Sequence, residues 1–136
     1  MTLTRFFTMI RMMVLDSSFL FSLFHPRDAN HQKALGIFAK HCAEEMLLTD
    51  AILFETLTVL NRKLGTAATL AAYDQLMSNS RLQIHYLTEI QRKEILTEFL
   101  KQKGRLSLAD FSVVLACKTA LAKPLSFDKD LLKQIG

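Results

Sequence analysis

The chain has 136 residues, half of them hydrophobic and 22% charged, with a net charge of +4 when histidine is counted neutral. That composition suits one folded domain with a sizeable core and excludes a disordered or low-complexity chain. The mild basic excess permits a polyanionic partner without requiring one. No stretch reaches the roughly 20 apolar residues of a membrane span, so the chain is expected to be cytoplasmic.

Residues 1–11 precede the first strand-like run and are expected to form a flexible extension, leaving 12–136 as a single domain. A secretion signal is disfavoured because Asp16 interrupts the apolar N-terminus and no small-residue cleavage site follows. Met13-Val14-Leu15 predicts a buried strand, and Asp16-Ser17-Ser18 a polar turn in which either serine can cap a short helix over 19–24. Pro26 ends that helix. A second helix is predicted over 31–45, with Leu35, Phe38 and Cys42 on one stripe, then a second strand over 46–49. Leu53, Leu57, Leu60 and Leu64 recur at helical spacing through 50–64, with Arg62 and Lys63 in the last turn and Gly65 as the stop. A further helix over 66–79 presents Leu70, Tyr73, Leu76 and Met77.

The alternation in 82–87 predicts a strand with one wetter face. A polar helix follows over 88–103, its narrow apolar face made by Ile95, Leu96, Phe99 and Leu100, closed by Gly104. Ser107 and Asp110 have capping-box spacing at the head of a strongly apolar helix that runs to 122. A last strand over 124–127 and a helix over 128–135 complete the chain. Short strands alternating with helices predict an α/β fold, a mainly parallel sheet of four to five strands with helices on both faces. Cys42 and Cys117 both sit in apolar helical patterns and are expected to be buried, reduced thiols.

Ligands of an open parallel sheet bind beyond the carboxyl ends of its strands. Asp16 and Asp128 stand at such ends, where helix capping would also explain them. Asp110 lies on the apolar stripe of its helix, with Val113, Val114, Cys117 and Leu121 following at helical spacing. A carboxylate there needs compensation, by its capping box or by a cation. By periodicity alone Glu55 is a solvated surface glutamate, roughly opposite the leucine stripe of its helix. The four histidines lack zinc-type spacing.

Together these blocks resemble the PIN domain family, most closely its VapC-type toxin ribonucleases. Asp16-Ser17-Ser18 is similar to the family's opening, an aspartate and two small polar residues after the first strand. Glu55, within Ile52-Leu53-Phe54-Glu55-Thr56-Leu57, resembles its helix glutamate. Ser107-Leu108-Ala109-Asp110-Phe111 is similar to its late helix start. Ser126-Phe127-Asp128-Lys129-Asp130 is similar to its closing motif, with serine where threonine is more usual. The order and spacing match across residues 12–136, after an extension longer than typical.

The resemblance implies a PIN-like three-layer fold and an acidic pocket holding Mg²⁺ or Mn²⁺ for hydrolysis of RNA phosphodiesters. It also implies a small antitoxin partner and a homodimer. Asp16 and Asp110 are then the principal metal ligands, and Glu55 and Asp128 hold metal-bound waters or a second cation. Ser17 and Ser126 support the carboxylates, while Arg62, Lys63, Arg105 and Lys129 are candidate RNA-binding cations at the rim. A PIN ribonuclease of RNA processing and a non-catalytic PIN-like binding module remain open as other readings. Two carboxylates ~5 Å apart at an effective dielectric near 20 repel by roughly 3 kcal/mol. Raised carboxyl pKa values and stabilisation by metal are therefore expected.

Overall fold

Strands β1 (Met12–Leu15), β2 (Glu45–Thr49), β3 (Leu82–His85) and β4 (Lys123–Leu125) form one sheet in a computed structural model that describes residues 11–136. The expected extension over 1–11 lies, except for Arg11, outside the described residues. The helices are α1 (Ser17–Phe24), α2 (His31–His41), α3 (Asp50–Leu64), α4 (Thr66–Met77), α5 (Glu89–Lys101), α6 (Leu108–Ala120) and α7 (Lys129–Ile135). All pairings are parallel, in the spatial order β3-β2-β1-β4. Pro124 is tolerated because β4 is an edge strand, where a missing N–H need not break a ladder.

Side chains alternate across the sheet, and register decides what each face meets. Leu15, Met46 and Leu82 face a layer built from α1, α2 and α4, where Leu20, Phe38 and Leu76 meet them. Met12, Leu47 and His85 face the opposite layer of α5 and α6. Val14, Leu15, Met46, Leu48, Ile52, Leu60, Val113 and Leu131 are all but inaccessible to solvent, so the core is continuous through both layers. Gly65 ends α3 and begins α4 at φ +88°, a left-handed backbone that glycine adopts without a Cβ penalty.

Several boundaries differ from those expected. The second helix ends at His41 because Glu45 is drawn into β2 opposite Met12. β4 pairs over Lys123–Leu125, releasing Ser126 and Phe127 from the ladder. On α4 only Ala72 and Leu76 are buried, whereas Leu70, Tyr73 and Met77 are exposed, since the periodic stripe is wider than the contact it makes. Cys117 is buried, but Cys42 is exposed at the end of α2. Among the described residues, no helix is long and apolar enough to cross a membrane.

Candidate active site

A helix that joins two parallel strands runs back against them, so its N-terminus lies at the carboxyl edge of the sheet. Helices α1 and α3 leave β1 and β2, α6 leads into β4, and α7 leaves β4. Their N-caps are Asp16, Thr49, Ser107 and Asp128, all with extended backbone. Unpaired N–H groups and the positive end of the helix dipole favour anionic side chains here. Because β4 lies on the other side of β1 from β2, the carboxyl ends of β1 and β4 form a switch point. The Asp16 N–H ties them together by donating to the Leu125 carbonyl at 3.1 Å.

Asp16 is 1% exposed. Its Oδ2 accepts from the hydroxyls of Ser18 and Ser126, each at 2.7 Å, and from the Ser18 N–H at 3.4 Å. Each hydroxyl oxygen in turn accepts a backbone N–H, Ser18 from Phe127 at 3.0 Å and Ser126 from Asp128 at 2.9 Å. The early end of β4 permits this, since Ser126 is free of the ladder. The serine that reaches Asp16 from α1 is Ser18, and Asp16 itself is the N-cap; Ser17 donates to none of the four acids. Asp16 Oδ1 is buried without a hydrogen-bond partner among the described residues. A buried anionic oxygen lacking a donor is a site a cation can fill.

Asp110 occupies the third position of α6 and completes a capping box. Its Oδ2 accepts from the Ser107 N–H at 2.8 Å, and its own N–H donates to Ser107 Oγ at 3.1 Å. The Ser107 hydroxyl also donates to Glu55 Oε1 at 3.4 Å, drawing the glutamate of α3 toward α6. Glu55 is therefore half-buried at the site instead of fully solvated. Burial raises the Asp110 carboxyl above its ordinary value, and the charges of Asp16 and Glu55 raise it further, against the opposing Ser107 N–H. The same burial, with Asp16's charge, pushes the Cys117 thiol up to about 11, so it stays protonated.

Asp16 and Glu55 thus both bear on Asp110. Asp128 belongs to the site's edge, linked to Asp16 through Ser126. Its Oδ1 accepts from the N–H groups of Asp130 at 3.0 Å and Leu131 at 3.2 Å, and from Arg105 Nη2 at 2.9 Å. Lys129 is exposed beside it. Arg62 and Lys63 are exposed at the far end of α3, at least ~10 Å along the helix axis from Glu55. Among the described residues, no three His, Cys, Asp or Glu side chains converge closely enough to hold an ion by themselves. An ion seated here would keep waters in its shell, which suits Mg²⁺ better than a cation demanding an all-protein cage.

Thr49 and Ser112 were not apparent from sequence spacing. Both are fully buried, and their hydroxyls lie 2.7 Å apart. The Ser112 hydroxyl donates to the Ala109 carbonyl at 2.6 Å, and Thr49 Oγ1 accepts from the Ile52 N–H at 3.2 Å. With those two roles assigned, Thr49 donates to Ser112. The chain of bonds staples the start of α3, which carries Glu55, to the first turns of α6, which carry Asp110. Thr49→Val removes the cap and leaves Ser112 short of a donor. Its expected cost is about 2–4 kcal/mol in urea unfolding; a change below about 0.5 kcal/mol would show that the staple does not hold the helices.

A parallel sheet at whose carboxyl edge Asp16 and Glu55 bear on Asp110 defines an α/β domain with an acidic site at a topological switch point. The chain belongs to the PIN domain family, whose model matches residues 13–136. No curated protein sequence matches it. Among solved structures it is similar to Mycobacterium tuberculosis VapC20, a sarcin-ricin loop cleaving toxin, with a TM-score of 0.80 and 22% identity over 89% of this chain and 93% of that one. It is also similar to VapBC2 from Rickettsia felis bound to a DNA fragment from their promoter, with a TM-score of 0.64 and 14% identity over 91% and 92%. PAE2754 from Pyrobaculum aerophilum gives a TM-score of 0.59 and 19% identity over 92% and 84%. At these identities the likeness is one of fold.

Proposed function

We propose that this chain is a Mg²⁺- or Mn²⁺-dependent endoribonuclease and the toxin of a toxin–antitoxin pair. The observation that carries the reading is the buried Asp16 Oδ1, without a partner among the described residues, at a switch point where Asp110 and Glu55 also lie. Family membership supports it, as does the likeness to a toxin that cleaves the sarcin-ricin loop.

Asp16 and Asp110 would hold the ion, and Glu55 and Asp128 would hold its waters, since hard divalent cations take oxygen ligands. Once bound, the cation supplies polarisation of a phosphate and acidification of a water. The chain's own contribution is placement. Ser18 and Ser126 both occupy Asp16 Oδ2, so Oδ1 is the oxygen that would be free to hold an ion. Ser107 holds Asp110 and Glu55 in fixed relation. Cationic side chains at the rim, Arg105 and Lys129, would offset the site's repulsion of RNA, while Arg62 and Lys63 stand too far along α3 to do so. A small antitoxin, a homodimer and a cytoplasmic location belong to the same reading.

The direct test is induced expression in a bacterial host, with RNA integrity followed alongside growth. Growth arrest with RNA cleavage is expected, and the purified protein should cleave RNA with Mg²⁺ or Mn²⁺ and stop when EDTA is added. Normal growth at good soluble yield, with intact RNA in both assays, would overturn the proposal.

A further inference from the structure

An acidic site that acts on RNA must be approached by a polyanion it repels, so fixed cations should stand at its mouth. Two cations are held against consecutive residues of the turn between β4 and α7. The Lys33 ammonium, from α2, lies over the Phe127 ring at 5.8 Å from its centroid. Phe127 is itself braced by Phe19, with ring centroids 5.8 Å apart. Arg105 donates from Nε to Asp130 at 2.8 Å and from Nη2 to Asp128 at 2.9 Å. Its side chain is nevertheless 65% exposed. An arginine has five N–H donors in a planar fork, so three remain unused toward the described residues. The two carboxylates fix the plane of the guanidinium while its remaining edge stays open to solvent.

We propose that Lys33 and Arg105 form a phosphate-gripping rim on the Phe127–Asp128 turn, seating an RNA backbone across the acid cluster. This rests on the nuclease reading. The rim needs both cations because the turn they flank carries Ser126 and Asp128, which lead directly to Asp16. A backbone held there passes over the carboxylates instead of along the outer helices. Arg105 and Lys33 bind substrate phosphates; Asp130 acts through Arg105 as its positioning residue.

The test is binding of a fluorescein-labelled single-stranded RNA oligonucleotide to the full chain in EDTA, where no metal-supported cleavage intervenes, as a function of salt. Lys33→Gln and Arg105→Gln should each weaken binding about 3- to 10-fold and make the log–log salt dependence shallower by about 0.7, the loss of one phosphate contact. Arg105→Lys, which keeps the charge, should retain the wild-type slope. Lys118→Gln, which removes the same charge near the opposite end of α6 from Asp110, should leave the slope unchanged. Thermal melts of each variant establish that it is folded. If Lys33→Gln and Arg105→Gln behave like Lys118→Gln while the wild type still cleaves RNA with Mg²⁺, the rim is refuted and the nuclease reading stands. If the slopes change as expected but no divalent cation supports cleavage, the nuclease reading falls and the rim stands.

Discussion

Asp16→Asn should lower divalent-metal-supported RNA cleavage by at least about 10²-fold, the scale of losing one charge-stabilising group at a reacting centre. The variant should remain folded. Asparagine caps a helix as well as aspartate does, and its amide oxygen can still accept from the Ser18 and Ser126 hydroxyls. What it cannot supply is an anionic oxygen at the buried Oδ1 position, which has no partner among the described residues. The amide would place N–H donors there, facing any cation with the wrong sign of charge. Steady-state cleavage of a labelled RNA, paired with circular-dichroism melts, separates chemistry from folding. Equal cleavage by variant and wild type would remove Asp16 from the site.

The second large effect concerns stability, and it runs against the usual behaviour of carboxylates. Asp110 has its carboxyl raised above 3.8 by burial and by the charges of Asp16 and Glu55. The folded protein therefore binds that proton more tightly than the unfolded chain does. Its contribution to stability is full below about pH 3.8 and is lost as pH rises through the raised folded value. Asp28 has the opposite sign. The Ser22 hydroxyl and the Asn30 N–H hold it low, so its small, solvent-screened contribution is present above 3.8 and lost as pH falls.

Asp110→Asn should accordingly flatten the Asp110 part of the pH profile. In metal-free buffer at neutral pH it should melt above the wild type, by on the order of 1 kcal/mol, as often happens when active-site strain is relieved. Adding Mg²⁺ or Mn²⁺ should reverse the ranking. At a concentration 100 times its dissociation constant an ion adds about 2.7 kcal/mol to the folded state, roughly 10 °C for a chain of this size. The variant should gain much less. Calorimetric melts with EDTA and with each cation would measure this, and a wild-type melting temperature indifferent to both cations would exclude a metal site built on Asp110.

Glu55 shows where a helical wheel stops being informative. Its position opposite the leucine stripe of α3 predicts a solvated side chain, yet the packing of α3 against α6 sets it 3.4 Å from the Ser107 hydroxyl. No local pattern in residues 50–64 contains α6. Ser18 and Ser17 differ in a similar way. Both are small hydroxyls after Asp16, and the choice between them depends on the phase of α1 relative to Ser126, 108 residues further along the chain. Lys33 carried no signal at all, because its partner Phe127 arrives from the opposite end of the sequence. The apolar faces of α4 and α5 were legible as stripes but not in width. Leu70 and Leu100 lie on those stripes and are exposed, since each helix buries only the part of its stripe that a neighbour covers.

The sequence by itself determined the element order, the parallel sheet and the helix starts, because periodicity, capping residues and glycine stops act within a few residues of one another. It also marked Asp110 as a carboxylate on an apolar stripe and, through short ordered motifs, the set of four acids. The tertiary structure alone decided that Asp16 and Glu55 bear on Asp110 while Asp128 is claimed by Arg105. It alone selected Ser18, Thr49 and Ser112 as the hydroxyls that hold the site. These are contacts across dozens of residues, and their energy depends on distance and burial, quantities that exist only once β4 has crossed to the far side of β1 and the helix N-termini have met.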